Sequence, residues 1–196
     1  MDLSGALVGL MLLSPVMLAV ALMIRFDSPG PVLFRQLRRG RYGNLFYVLK
    51  FRTMVADAER RLKDLESLNE SENGVLFKMK NDPRVTPLGR FLRRSSLDEL
   101  PQLLNVIRGE MTLVGPRPLQ LRDSDRLRDL DPEGYACRLQ VMPGVTGPWQ
   151  VGGRSDIDYA QMVELDRQYV ANRTLLGDIR IIFQTVLVVL VGRGAY

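Results

Sequence analysis

The chain opens with a long apolar stretch that carries no charge. Residues 3–24 are 22 residues without a charged side chain, bounded by Asp2 and Arg25. A helix rises about 1.5 Å per residue, so an unbroken helix of this length reaches the roughly 30 Å of a bilayer core. The pattern therefore predicts a membrane helix in this segment.

Ser14-Pro15 interrupts the apolar stretch near its centre. Proline lacks a backbone N–H and disfavours helical geometry at the residue before it, so two half-helices are expected. Hydropathy alone favours a spanning helix with a proline kink, in which a serine hydroxyl satisfies the freed carbonyl. The alternative is a re-entrant hairpin that enters and leaves through one face. Arginines crowd residues 25–41, so this flank is expected on the cytoplasmic side in both cases.

The rest of the chain shows short strand and helix patterns. Residues 32–37 and 45–51, joined by a glycine-containing turn, predict a β-hairpin. Helices are predicted at 54–68, 96–107, 119–128 and 157–172, with a polar loop at 69–73. Residues 179–191 form an apolar run of 13 residues that is too short to span a membrane and is typical of an interfacial or core helix. The predicted class is α+β, mostly helical, with one small β-hairpin.

Composition narrows the chemistry that these elements can carry. The chain has no histidine, which excludes histidine-based catalysis and histidine-ligated zinc. Its single cysteine, Cys137, excludes an internal disulfide. The 27 basic residues against 22 acidic ones give a net charge of +5, which favours anionic partners such as phosphates, nucleic acid or a membrane surface. Carboxylates, lysines and arginines must carry any reaction.

Two adjacent acids are the strongest candidates for chemistry. Ser96-Leu97-Asp98-Glu99 has the pattern of a capping box, with Ser96 as N-cap and Glu99 at the third helical position. Asp98 would then lie beside the positive end of the helix dipole, which is expected to lower its pKa. Taken alone, such a pattern usually only caps a helix. The chain also provides cations in neighbouring motifs: Lys50, Arg52, Arg90, Arg93, Arg94 and Arg117. Two acids among fixed cations could hold a divalent metal and a polyphosphate together.

Eight motifs then occur in one order along the chain. They are Ser14-Pro15, Gly30-Pro-Val-Leu-Phe-Arg-Gln36, Lys50-Phe-Arg-Thr-Met54, Asp82-Pro-Arg-Val-Thr86, Ser96-Leu-Asp-Glu-Leu-Pro-Gln102, Val114-Gly-Pro-Arg-Pro118, Pro143-Gly-Val-Thr-Gly147 and Gly153-Arg154. This series resembles the bacterial sugar transferases, which are the monotopic polyprenyl-phosphate phosphoglycosyl transferases. The resemblance covers nearly the whole chain, and the order of the motifs is far more specific than any one of them.

The resemblance implies a membrane-bound enzyme. Such an enzyme moves a sugar 1-phosphate from a UDP-sugar to polyprenyl (undecaprenyl) phosphate, releases UMP and forms a polyprenyl-diphospho-sugar. This is the first membrane step in the assembly of surface glycans such as exopolysaccharide, O-antigen, capsule or glycoprotein. The implied partners are the UDP-sugar, polyprenyl phosphate and membrane lipids, without nucleic acid, and a homo-oligomer is compatible with the resemblance.

The resemblance also implies roles for particular residues. Asp98 would form a covalent aspartyl-phosphosugar, and Glu99 would be associated with Mg²⁺. The family's phosphate-binding basic residues correspond to four positions here, Lys50, Arg93, Arg117 and Arg154.

The resemblance further implies the topology. Ser14-Pro15 matches the break in a re-entrant helix whose two ends lie at the cytoplasmic face, which replaces the spanning helix favoured by hydropathy. Residues 1–26 would form this membrane helix. Residues 27–196 would form a catalytic domain with interfacial amphipathic helices, facing the cytoplasm at the bacterial inner membrane.

Alternatives and departures from the family pattern limit these expectations. Family members usually have a basic pair just ahead of the position of Asp2, so the chain could be the catalytic part of a larger protein. A membrane-tethered protein that binds anionic lipid or nucleic acid without catalysis would explain the charge but leave Asp98 and Glu99 without a role. A glycosyltransferase that moves the sugar alone is a further alternative. No residue is assigned to the sugar hydroxyls, so hexoses and acetamido sugars both stay open.

Overall fold

The computed structural model describes residues 1–65, 79, 81–153 and 157–191. The helices are α1 (Asp2–Asp27), α2 (Ala58–Leu65), α3 (Pro87–Arg94), α4 (Gln102–Ile107), α5 (Leu121–Leu130), α6 (Pro132–Arg138), α7 (Pro148–Gly152), α8 (Tyr159–Asn172) and α9 (Leu175–Val191). The strands are β1 (Leu33–Arg39), β2 (Leu45–Phe51), β3 (Thr112–Val114) and β4 (Gly144–Thr146). Short 3₁₀ helices lie at Arg41–Gly43 and Leu97–Glu99. The predicted α+β class, mostly helical with a small antiparallel hairpin, is confirmed.

Helix α1 is continuous through Pro15, so the expectation of two separate half-helices is wrong. Pro15 cannot donate to the carbonyl of Met11, four residues earlier, because proline has no N–H. The hydroxyl of Ser14 donates to this carbonyl instead, at 3.0 Å. By length and composition, α1 is the one helix within the described residues that could cross a membrane. The re-entrant topology stays a prediction.

The predicted hairpin is present and places Lys50. Strands β1 and β2 pair antiparallel, with Phe34 opposite Lys50. The turn between them includes Tyr42, whose φ is 57°, and Gly43, whose φ is 81°. Asn105 of α4 joins the hairpin to the body, since its side chain accepts from the backbone N–H of Leu49 at 3.0 Å and donates to the carbonyl of Tyr47 at 2.7 Å.

The helix predicted at 96–107 begins later than expected. A 3₁₀ turn covers Leu97–Glu99, and α4 starts only at Gln102. Pro101 is the N-cap of α4, where its missing N–H costs nothing because the first turn has no intrahelical acceptor for it. Helices α2, α5 and α8 lie at the other three predicted positions, and α9 begins four residues before the predicted run. The loop predicted at 69–73 lies outside the described residues.

Both ends of α1 are attached to the same body. Near its start, the Asp2 carboxylate accepts from the hydroxyl of Thr112 at 2.7 Å and from the N–H of Leu113 at 2.9 Å. At its end, the buried side chain of Arg52 donates to the carbonyls of Ser28 and Pro29 at 2.6 and 2.9 Å. Between these ends, one face of the helix is buried: Ala6 packs against β2 and α4, and Val20 and Ile24 pack against Phe51 and Leu92. The opposite face is apolar and exposed.

Candidate active site

Asp98 and Glu99 lie on the 3₁₀ turn ahead of α4, and the predicted capping box does not form. Ser96 has φ 55°, in the left-handed region, and its side chain makes no cap hydrogen bond. The backbone N–H of Glu99 donates to the carbonyl of Ser96 at 3.2 Å. The Glu99 carboxylate turns instead toward two cations. The capping interpretation is wrong because Ser96 lacks the extended conformation of an N-cap, and its N–H donates to the Arg93 carbonyl at 3.1 Å rather than to Glu99.

Glu99 is held between Lys50 and Arg117. The Lys50 ammonium donates to Glu99 Oε1 at 2.7 Å. Arg117 donates to both carboxylate oxygens, at 2.6 Å to Oε1 and 3.2 Å to Oε2. Burial by itself would raise the pKa of Glu99, but the charges of Arg117 and Lys50 and their hydrogen bonds lower it well below its usual range. Glu99 is therefore ionised at any physiological pH.

Asp98 has the opposite character, although it is the neighbouring residue. Only 8% of Asp98 is exposed. Burial raises the pKa of Asp98 to about 6; the attraction of Lys50 only partly offsets this, and the negative charge of Glu99 adds to it. The expectation of a lowered pKa is wrong, because loss of hydration outweighs the local dipole of one short turn. At neutral pH the group is a largely ionised, poorly hydrated carboxylate.

The remaining predicted cations fall into two groups. Arg93 extends from α3, and its Nε donates to the hydroxyl of Thr53 at 3.0 Å. Its charge acts on the Asp98 carboxylate, whereas the adjacent Arg94 is exposed. The structure therefore brings Lys50, Arg93 and Arg117 together around the two acids. Arg154 lies outside the described residues.

Sequence reasoning missed Arg38. This strand β1 residue donates to the carbonyl of Pro118 at 3.1 Å and to the side chain of Gln36. Burial, together with repulsion from Arg117, lowers the pKa of Arg38 to about 9. Arg38 is one of several arginines in the hairpin, and nothing in the neighbouring sequence marks it as a site residue. It joins the site because residues 118–120 pack beside β1 in the folded chain. A buried acid, Asp123 of α5, lies nearby and accepts from Arg122 at 3.3 Å.

One cavity of about 1380 Å³ connects this charged site to an apolar region. Its charged end is lined by Lys50, Arg93, Asp98, Glu99 and Arg117. Its apolar end is lined by Gly5, Gly9 and Leu13 of α1 and by Ile182, Phe183 and Val186 of α9. A lining that combines cationic and apolar side chains fits an amphipathic ligand with an anionic head.

The acid pair offers oxygen ligands of the kind that Mg²⁺ binds. Within the described ranges no group of three acidic, histidine or cysteine side chains could hold a metal ion by itself. Asp98 and Glu99 offer two neighbouring hard oxygen donors, and Mg²⁺ in proteins commonly takes one or two carboxylates with substrate phosphates and water as its other ligands. The donor set therefore fits an ion that is completed by the substrate. Both Glu99 oxygens are engaged by cations, so such an ion would share or displace these contacts.

The chain is similar to known proteins over nearly its whole length. Residues 1–192 match the family model described as "Bacterial sugar transferase". The whole chain is similar to the exopolysaccharide production protein ExoY of Sinorhizobium fredii, with 43% identity over 198 residues that cover 86% of that protein. It is also similar to the undecaprenyl-phosphate galactose phosphotransferase of Salmonella typhimurium, with 44% identity over 198 residues.

A third relative is the UDP-glucose:undecaprenyl-phosphate glucose-1-phosphate transferase of Escherichia coli, which is 41% identical over 200 residues. The chain spans 40% of the length of the Salmonella and Escherichia proteins, and the match includes 100% of this chain in both cases. The family model and the three relatives thus cover the segment that carries the acid pair and its cations. This chain belongs to the bacterial sugar transferase family.

Proposed function

We propose that this chain transfers a sugar 1-phosphate from a UDP-sugar to polyprenyl phosphate, releasing UMP and forming a polyprenyl-diphospho-sugar. The observation that carries the proposal is the Asp98 carboxylate, which is buried, largely ionised at neutral pH and surrounded by Lys50, Arg93 and Arg117. The names of the Salmonella and Escherichia relatives describe the transfer of a sugar phosphate to undecaprenyl phosphate. The ExoY name connects a further relative to exopolysaccharide production.

The proposed reaction has two displacements at one phosphorus. An Asp98 oxygen attacks the sugar-bearing phosphorus of the UDP-sugar, and the bond from this phosphorus to the bridging oxygen breaks. UMP leaves with that electron pair, and an aspartyl-phosphosugar remains. A phosphate oxygen of the lipid then attacks the same phosphorus, the bond to Asp98 breaks, and the carboxylate is restored. A carboxylate nucleophile divides one difficult transfer into two easier steps and requires no histidine.

The cations provide the electrostatic part of the proposed mechanism. Negative charge grows on the departing UMP phosphate, and fixed positive groups stabilise such charge without having to reorganise. Lys50 and Arg117 are already held in place by Glu99, and Arg93 is held by Thr53. Glu99, together with the substrate phosphates, would hold Mg²⁺, which supplies charge neutralisation at the phosphates when bound.

The apolar end of the cavity supports a lipid acceptor. A polyprenyl phosphate joins an anionic head to a hydrocarbon chain, and the cavity joins the cationic site to the apolar walls of α1 and α9. The exposed apolar faces of both helices also favour membrane contact. The reaction would then take place at the membrane interface, where a water-soluble donor and a lipid acceptor can both reach Asp98.

We propose the re-entrant topology for α1 as well, with both ends at the cytoplasmic face of the inner membrane. Asp2 at one end and Ile24 at the other contact the same body. Pro15 lacks the N–H that would bond to the Met11 carbonyl, so a bend of α1 at Pro15 in the membrane would let both contacts stay at one face.

A product assay tests the proposed function. The protein is incubated with Mg²⁺, polyprenyl phosphate and each of several UDP-sugars, and the nucleotide product is separated by chromatography. The proposal expects UMP together with a lipid-linked diphospho-sugar. Release of UDP would indicate a glycosyltransferase, and release of neither nucleotide with any donor would indicate a binding protein. The same screen identifies the sugar.

A further inference from the structure

The main chain around Arg117 is held by an unusual set of donors. The carbonyl of Pro116 accepts from the N–H of Gly144 at 3.0 Å. The next carbonyl, of Arg117 itself, accepts from Arg138 Nη2 at 2.6 Å. The third, of Pro118, accepts from Arg38 Nη1 at 3.1 Å. Three consecutive carbonyls therefore have donors from β4, α6 and β1, and prolines on either side restrict the backbone of Arg117.

Arg138 is the arginine in this set whose side chain lies outside the cavity of the charged site. It lies at the end of α6. Its partner is Asp166 of α8, at 3.1 Å, and the two side chains are only 6% and 3% exposed. Arg138 and Asp166 are far apart along the chain, and both are distant in sequence from Arg117. Asp166 of α8 therefore contacts Arg138, and Arg138 in turn contacts the backbone of Arg117, whose guanidinium binds Glu99.

A buried ion pair of this kind needs an explanation other than stability. Removing two charges from water costs free energy that their mutual attraction often fails to repay, so buried ion pairs commonly contribute little net stability. The Arg138–Asp166 pair is costly in this sense, since the burial of Asp166 outweighs the attraction of Arg138 and raises the pKa of Asp166 to about 6. What the pair does provide is a buried guanidinium held beside Asp166 that donates to the Arg117 carbonyl at 2.6 Å.

We propose that Arg138, held by Asp166, is a positioning residue for Arg117. It keeps the main chain at residue 117 in the place from which the guanidinium reaches both oxygens of Glu99 and faces the substrate phosphate. The proposal rests on the proposed function, in which Arg117 stabilises phosphate charge. Catalytic contributions of this type depend on groups that are already in position before the reaction, and partners that orient such groups typically matter about 10- to 100-fold.

A double-mutant cycle tests the proposal through UMP release. Arg138→Met is expected to lower kcat/KM by about 10- to 100-fold in the otherwise unchanged protein. In an Arg117→Met background, the same substitution is expected to change kcat/KM by less than about twofold, because its effect passes through Arg117. A merely structural role would lower activity by the same factor in both backgrounds, and this result would overturn the proposal.

Two additional variants control for folding and for charge. Arg138→Met leaves Asp166 buried without its cation, so Arg138→Gln combined with Asp166→Asn is measured beside it, with thermal unfolding of each protein. The neutral pair should fold and still show the coupling to Arg117. Arg128→Met is the matched control, because this α5 arginine is 51% exposed, lies 3.5 Å from Asp125, and should leave kcat/KM unchanged. Normal activity of the neutral pair would contradict the proposal.

A binding measurement separates this proposal from the proposed function. The same cycle is run for UDP-sugar binding by titration calorimetry, which requires no turnover. Coupling between positions 138 and 117 in binding, without UMP release, would reject the proposed reaction and retain the positioning role. UMP release by the unmodified protein, without coupling in either measurement, would retain the reaction and reject the positioning role.

Discussion

The Lys50 ammonium lies 2.7 Å from Oε1 of Glu99 and joins the end of the hairpin to the 3₁₀ turn 49 residues later. Arg117 donates to the same carboxylate oxygen at 2.6 Å, from 18 residues further along the chain. The two cations together fix the orientation of Glu99. Glu99 thereby becomes a strongly ionised group bound to two cations, while Asp98 beside it is buried and titrates near pH 6. The divergent environments favour different roles for two adjacent carboxylates.

The first prediction concerns the nucleophile. Asp98→Asn should reduce turnover by at least about 1000-fold, since an amide cannot form the covalent phosphosugar. Intact-mass analysis with UDP-sugar and Mg²⁺, in the absence of lipid acceptor, should show a phosphosugar adduct on the unmodified protein and none on the variant. Asp129→Asn serves as the control, because the Asp129 side chain is 73% exposed. Normal activity of Asp98→Asn would end the assignment.

The second prediction concerns the metal. Activity should be lost in EDTA and restored by added Mg²⁺, since Glu99 and the substrate diphosphate together provide hard oxygen ligands. Glu99→Gln should lower kcat by about 100-fold or more and raise the Mg²⁺ concentration needed for half-maximal rate. Circular dichroism checks that the variant folds despite the loss of two ion pairs. Glu133→Gln, at an exposed acid, should behave like the unmodified protein. Undiminished turnover in EDTA would contradict the metal requirement.

A third prediction uses two adjacent arginines as a matched pair. Arg93 donates to Thr53 and acts on Asp98, whereas Arg94 is exposed. Arg93→Met should therefore lower kcat/KM by about 10- to 1000-fold through lost phosphate stabilisation. Arg94→Met removes the same charge from the same helix and should stay within about twofold of the unmodified enzyme. Equal effects of the two substitutions would show that only the overall charge of α3 matters.

The fourth prediction tests the topology of α1. Ser4→Cys and Asp27→Cys are introduced separately in a Cys137→Ser background, and both positions are exposed in the structure. If α1 is re-entrant, both cysteines should resist an impermeant thiol reagent in intact cells and react after lysis. Labelling of position 4 in intact cells, with position 27 protected, would show a spanning helix.

The Ser14-Pro15 pair offers a second test of the same topology. Replacing both residues with leucine restores a backbone N–H at position 15. It also removes the Ser14 hydroxyl, which donates to the Met11 carbonyl in the absence of that N–H. The segment should then shift toward spanning, since a regular apolar helix of this length matches the bilayer. Activity should fall with that shift, and the labelling pattern at position 4 should change in parallel. An unchanged labelling pattern with full activity would show that the pair does not set the topology.

The fifth prediction concerns stability and pH. Asp166 has a folded-state pKa of about 6, above its ordinary value near 3.8, because of burial. The folded protein therefore binds the Asp166 proton more tightly than the unfolded chain does. The stability that this proton provides is fully present below about pH 4 and is lost as the pH rises through 6. Between pH 4.5 and 7.5, the unfolding free energy of Asp166→Asn should therefore rise by about 2 kcal/mol relative to that of the unmodified protein. Denaturant unfolding at a series of pH values measures this change. Asp129→Asn should show no such trend, and neither should Asp166→Asn if the Asp166 pKa is normal.

Several features were determined by the sequence alone. The uncharged run predicts α1, and the alternation of strand and turn residues predicts the β1–β2 hairpin, because both signals depend on neighbours within a few residues. The ordered motifs identify the family and bring attention to Asp98, Glu99, Lys50, Arg93 and Arg117. Each of these signals is local, so no knowledge of the fold is needed to read it.

The tertiary structure decided the properties that depend on contacts between distant segments. The sequence predicts a lowered pKa for Asp98 from the helix dipole, but burial reverses the direction, and burial is set by the whole surrounding fold. The capping box also fails, and Lys50 and Arg117 arrive from 49 and 18 residues away and take the Glu99 carboxylate. Strands β3 and β4, of three residues each, are too short to produce a periodic pattern.

The contacts that hold the backbone of Arg117 show most clearly what local sequence does not reveal. Arg138 and Asp166 carry no motif that connects them to the acid pair. Arg138 contacts the main chain of Arg117 only because α6 and α8 pack together in the folded chain. Local sequence can identify which side chains have the chemistry for phosphate transfer. Their ionisation and their exact partners depend on desolvation and on long-range packing, which arise only when the chain is folded.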